Sequence, residues 1–199
     1  GKHAVDHKIA RCRSGKLLAR LRRQVEEVLN KLLKLLVAAA ADFSDSCGEF
    51  TVPHSTPNPL HGVWMKIERA KTHLSDLEEQ IKAFHARQPY RIVEDYDSEP
   101  GKILFRVKMK EPVPAGWSAV IGDIIHNLRS ALDLLATELV VINGGKRKNV
   151  SFPFSKNPDE IDLKIRERMR GAAPKAKRFV RRVKPYRSGN EALWKLHSL

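Results

Sequence analysis

The chain has almost no cysteine: Cys12 and Cys47 are the only two in 199 residues. They supply neither a disulfide framework nor a metal-ligand spacing, and read as reduced thiols of a cytosolic (cytoplasmic) protein. Long apolar runs are missing as well. The longest, Leu35 to Ala41, falls far short of the roughly 18–20 residues a membrane span requires, so no stable membrane insertion is expected. Charged residues interrupt the apolar stretch that follows the basic N-terminus, and no clear cleavage site comes after it, which speaks against a secretion signal. No P-loop, dinucleotide glycine pattern, HExxH or paired CxxC occurs, and no cofactor is implied. His3 and His7 are four apart but lie at a terminus, a poor setting for a metal site, so none is expected. Gly1 stands where a natural start would have Met, which leaves the true start open.

Acidic residues are the scarcer charge. Lys and Arg number 37 against 23 Asp and Glu, for a net charge of +14 and a pI near 10.0. A field of that size draws in phosphate polyanions or anionic membrane surfaces. From Lys164 to Arg187 there are eleven Lys or Arg and one acid, Glu167. The first 34 residues carry ten against Asp6, Glu26 and Glu27. Candidate nucleic-acid contacts are Lys175, Arg178, Arg181 and Arg182, with Lys146, Arg147 and Lys148 in a basic loop. Helical spacing lets Lys175, Arg178 and Arg182 share a face away from Phe179, Val180 and Val183. This is the footprint of a nucleic-acid binder. A solvated basic surface without a partner is the plainer alternative, and attraction of the basic first helix to a membrane is a third.

Apolar period gives the architecture. Leu18, Leu21, Val25, Val28, Leu32 and Leu35 alternate spacings of three and four; so do Leu60, Val63, Ile67, Ala70, Leu74, Leu77, Ile81 and Phe84. A third seam runs Ile121, Ile125, Leu128, Leu132, Leu135, Leu139. Heptad spacing marks long helices packed at shallow angles. The expected fold is mainly α: a bundle of three long helices, one inserted β-hairpin at about 89–110, and a C-terminal region of short helices. Tyr90–Tyr96 and Lys102–Met109 read as the strands, with turn residues Asp97 to Gly101 between them. Asn143-Gly144-Gly145 ends the third long helix. Pro158 opens a short helix, and Pro174 and Pro185 bracket another. The Pro- and Thr-rich stretch Thr51 to Pro59 is the best linker, separating a basic helical extension (1–56) from the main domain (57–199). Trp64, Trp117 and Trp194 sit among apolar neighbours and read as core anchors.

The densest chemistry lies in Ile121–Leu139. Opposite its seam fall Asp123, His126, Asn127, Arg129, Ser130, Asp133 and Thr137, and only Leu134 interrupts this polar arc. Arg129 can hold a phosphate bidentately, His126 can move a proton near neutral pH, and Asp133 or Asp123 can orient either. The candidate catalytic residues are therefore Arg129, His126 and Asp133. The competing reading is a polar network that fastens this helix to the hairpin or to a second subunit, with Arg129–Asp133 an ordinary i,i+4 pair.

The run HNLRSALDLLA, at His126 to Ala136, resembles the signature HN-x-RSALDHLA of a family of uncharacterised bacterial and phage proteins. Phe152-Pro153-Phe154, Lys184-Pro185-Tyr186 and Leu193-Trp194-Lys195-Leu196-His197 are similar to that family's FP, QPY and LW-x-LH steps. The resemblance covers roughly residues 57–199. Its Arg-x4-His pattern is similar to the active motif of HEPN domains, small helical bundles many of which cut RNA without metal, often at a dimer interface. The resemblance thus implies a HEPN-like nucleic-acid-binding protein, RNA more than DNA, and a weak or inactive metal-independent ribonuclease. The chain departs from the pattern at Leu134, which occupies the histidine slot, and stops at Leu199, where the family continues. The reading from a different class is a non-enzymatic interaction module of bacterial or phage origin that forms homodimers through the 121–139 face.

Overall fold

The computed structural model describes residues 59–96 and 103–198, together with Arg23, Glu26, Glu27 and Asn30, which are helical. The seam of the expected first helix, most of the Thr51–Pro59 linker and the turn at 97–102 lie outside the described residues. So does the boundary drawn at residue 56.

Two helices of equal length dominate: α1, His61–Ala86, and α2, Gly116–Val141. At about 1.5 Å per residue each is roughly 39 Å long. Phe84, near the end of α1, meets Trp117, near the start of α2, edge to face at 5.2 Å. Gly62, at the start of α1, faces Leu134, late in α2. The pair is therefore antiparallel. The buried residues of α1 are Val63, Ile67, Ala70, Leu74, Leu77, Ile81 and Phe84, the alternation of four and three that the sequence displays. Leu60, just before the helix, is half-buried against the same core.

Between the helices, β1 (Tyr90–Tyr96) and β2 (Ile103–Met109) pair antiparallel, from Tyr90 opposite Met109 to Tyr96 opposite Ile103. The Pro-rich stretch Pro112–Pro114 carries no ladder and leads into α2. The hairpin differs from an ordinary half-buried ribbon. Phe105 and Val107 are 63% and 61% exposed, and Met109 is exposed beside them; no helix among the described residues covers that face.

After α2 the chain turns at Gly144 (φ +75°). A 3-10 turn at Pro158–Glu160 then leads into α3, Ile161–Arg168, followed by α4, Pro174–Val183, and α5, Glu191–Ser198. Ile165, Met169, Phe179, Val180, Leu193 and Leu196 join the core that α1 and α2 begin. The described chain is thus mainly helical with one two-stranded hairpin. None of its helices is long and apolar enough to cross a membrane.

Candidate functional site

α2 buries a wider arc than a single seam. Its buried residues are Ile124, Asn127, Leu128, Ala131, Leu132, Leu135, Ala136 and Val140, while Ile121, Ile125 and Leu139 are only half-buried. The expected seam is corrected accordingly. A heptad seam fits a helix with one partner, but α2 packs on α1 along one side and meets α5 on another. Two expectations about the polar arc change as well, both where α2 meets α1. Asn127 is buried: its Nδ2 donates to the Asp123 carbonyl at 2.8 Å, and Lys66 Nζ of α1 donates to its Oδ1 at 3.4 Å. Leu134 does not sit among the polar groups; it is half-buried against the core, facing Gly62.

The remaining arc divides. His126 is exposed, and its Nε2 lies 3.4 Å from Ser130 Oγ. Arg129 is exposed and makes no hydrogen bond or ion pair among the described residues. The i,i+4 pair with Asp133 is not formed, because the carboxylate is directed elsewhere: Asp133 Oδ1 accepts the backbone N–H of Phe152 at 2.8 Å. That bond pins the Phe152-Pro153-Phe154 segment across α2. Phe152 is buried, with its ring 5.2 Å from that of Phe154.

Phe154 carries the next link. Its ring stacks on the imidazole of His197, with centroids 4.4 Å apart and planes 8° from parallel. Trp194, one turn earlier on α5, lies against the same imidazole at 5.6 Å. Neither ring nitrogen of His197 has a hydrogen-bond partner among the described residues. Burial lowers the pKa of His197 below the ordinary 6.5, and the Arg129 guanidinium lowers it further; the Asp133 carboxylate pulls in the opposite direction. The neutral imidazole is therefore the favoured form near pH 7. Sequence reasoning named His126, three residues before Arg129 on the same helix; it did not single out His197, which the structure brings to this cluster from α5. The available signal was the 194/197 spacing, which sets an indole and an imidazole on one face of a short helix.

The Lys184-Pro185-Tyr186 stretch also joins the cluster. Ser155 N–H donates to the Pro185 carbonyl at 3.2 Å and forms an isolated bridge with Tyr186. The following turn is tight: Asn190 N–H reaches the Lys184 carbonyl at 2.9 Å, and a Cβ on Gly189 would come within 2.6 Å of that carbonyl oxygen. Gly189 is needed because α5 departs so close to the Lys184–Tyr186 backbone.

Of the basic candidates, Arg178 and Arg182 are exposed on α4 while Phe179 and Val180 are buried, as the spacing indicates. Lys175 is half-buried on the same helix. Two others are engaged within the protein. Arg181 Nε meets Asp162 Oδ1 of α3 at 2.5 Å, and Arg147 meets Glu138 of α2 at 3.0 Å. The Arg181–Asp162 pair is solvent-exposed and worth little to stability, whereas Glu138 in the other is largely covered; each offsets a charge that the sequence leaves free. Lys146 and Lys148 are exposed. No group of three or more metal-ligating side chains occurs among the described residues. Compared with protein families, with curated proteins and with solved structures, the chain matches none.

Proposed function

We propose that this is a HEPN-like nucleic-acid-binding protein, acting on RNA rather than DNA, in which Arg129 holds a backbone phosphate. The observation that carries the reading is an exposed guanidinium, free of ion pairs among the described residues, beside an imidazole whose neutral form is favoured. A guanidinium of this kind matches the two oxygens of a phosphodiester. The net charge of +14 supplies long-range attraction, and the exposed cations Arg178, Arg182, Lys146 and Lys148 supply further phosphate contacts. A weak metal-independent ribonuclease activity goes with this reading: the 2′-oxygen attacks the adjacent phosphorus, and no protein nucleophile is required.

The test is a denaturing gel of end-labelled single-stranded RNA incubated in EDTA, beside filter binding of the same RNA, for the natural sequence and Arg129→Ala. Binding that weakens about tenfold or more on substitution, with any cutting abolished, is the expected result. Binding that is indifferent to both Arg129→Ala and salt sinks the proposal, because neutralised phosphates steepen the salt dependence.

The second reading, an interaction module that self-associates, draws on the exposed row Phe105, Val107 and Met109. Light scattering of Phe105→Ser and Arg129→Ala separates the two readings: a change in particle mass with RNA behaviour intact favours the module.

A further inference from the structure

We propose that His197, at the end of α5, is the proton acceptor of the Arg129 site, and that Asp133 is its positioning residue, acting through the Phe152–Phe154 segment. The inference rests on the phosphate-binding reading above for its chemistry, but not for its structural half. A side chain that takes a proton needs a fixed direction and an open nitrogen. His197 has both: stacking on Phe154 fixes the ring plane, while neither nitrogen is taken by a hydrogen bond among the described residues. His126 has less of either, being exposed and already close to Ser130.

Asp133 has two separable effects. Its Oδ1 holds the Phe152 N–H, and therefore the strand of backbone that presents Phe154. Its charge also opposes Arg129 at the imidazole. Lys195, two residues before His197 on α5, pairs with Glu191 of the first turn at 2.7 Å. With RNA bound, His197 would accept the 2′-hydroxyl proton as the 2′-oxygen bonds to phosphorus. The bond from phosphorus to the 5′-oxygen breaks, and that oxygen takes a proton from water. The imidazolium then returns its proton to the resulting hydroxide, leaving a 2′,3′-cyclic phosphate and a 5′-hydroxyl.

The structural half is tested without any ligand, by NMR titration of the His197 ring, assigned with His197→Gln, in the natural sequence and in two Asp133 variants. Asp133→Asn keeps an oxygen for the Phe152 N–H and removes the charge. The ring-current shift from Phe154 is then expected to persist, with titration below that of the natural sequence. Asp133→Ala removes both, so the ring-current shift should be lost and the titration should move back toward 6.5. Identical spectra for Asn and Ala would overturn the positioning role. The chemical half is tested on RNA in EDTA. His197→Gln should abolish cutting while filter binding stays within about threefold. Cutting that survives His197→Gln, or RNA bound but never cut by the natural sequence, would overturn the proton-acceptor role. Failure of RNA to bind at all would instead overturn the phosphate-binding reading, and with it the catalytic step.

Discussion

The α1–α2 pair and the cluster at its C-terminal side are built on different principles. The helix pair is held by two long apolar faces in continuous contact, so many small dispersive and hydrophobic contributions add up along about 39 Å. The cluster around Arg129 is held by a few directed contacts: one carboxylate on one N–H, one ring on another, and a glycine that lets α5 leave its turn. The first arrangement tolerates small losses, because neighbours share the burden. The second has no such redundancy, so a single change can displace a functional group while the domain stays folded.

That contrast can be broken or sharpened by substitution. The largest effect is expected in the helix pair. Leu128 is 1% exposed, and Leu128→Ala should cost about 2–5 kcal/mol, read as a lower urea midpoint with the slope unchanged. Next comes Gly189→Ala, where the added methyl meets the Lys184 carbonyl oxygen at 2.6 Å. A cost of about 1–3 kcal/mol is expected from such overpacking, and the His197 ring-current shift should move as well; a melt identical to the natural sequence would show that the turn yields without strain. Asp133→Ala should cost about 1–3 kcal/mol from the lost hydrogen bond to Phe152, with hydrogen exchange at the Phe152 amide as the local readout.

Smaller still is the pH response of His197. Its folded pKa lies below the unfolded value, so on acidification the unfolded chain takes up the proton first. The stability this group contributes is present above about 6.5 and lost as pH falls from 6.5 toward the lower folded value. His197→Gln should flatten that part of the stability-against-pH curve; an unchanged slope would mean the imidazole is as well solvated in the fold as out of it. The smallest effect on stability is expected for Arg129→Ala. The side chain is exposed and makes no ion pair among the described residues, so a shift within about 0.5 kcal/mol is expected, set against a large loss of RNA binding.

The same contrast explains what could be read in advance. The seam of α1 was legible residue by residue from Leu60 to Phe84, because a helix that packs mainly on one partner among the described residues writes its period directly into the sequence. The seam of α2 was not: Ile121, Ile125 and Leu139 came out half-buried and Asn127 buried, since a helix with two partners buries an arc wider than a heptad stripe. The hairpin strands were legible from alternation, but alternation does not say whether a face is covered. Phe105 and Phe152 both belong to extended, apolar stretches, and only contact leaves one 63% exposed and the other 3%.

By itself, the sequence determined the helical class, the hairpin, the short C-terminal helices and the strongly positive field, because period, turn residues and charge act locally or by simple summation. Tertiary structure alone brought a second imidazole, His197, within electrostatic reach of Arg129 and Asp133. His197 lies far along the chain and on another helix, and nothing in local spacing carries that distance. It is the docking of α5, through the Gly189 turn and the Phe152–Phe154 segment, that brings its ring to α2.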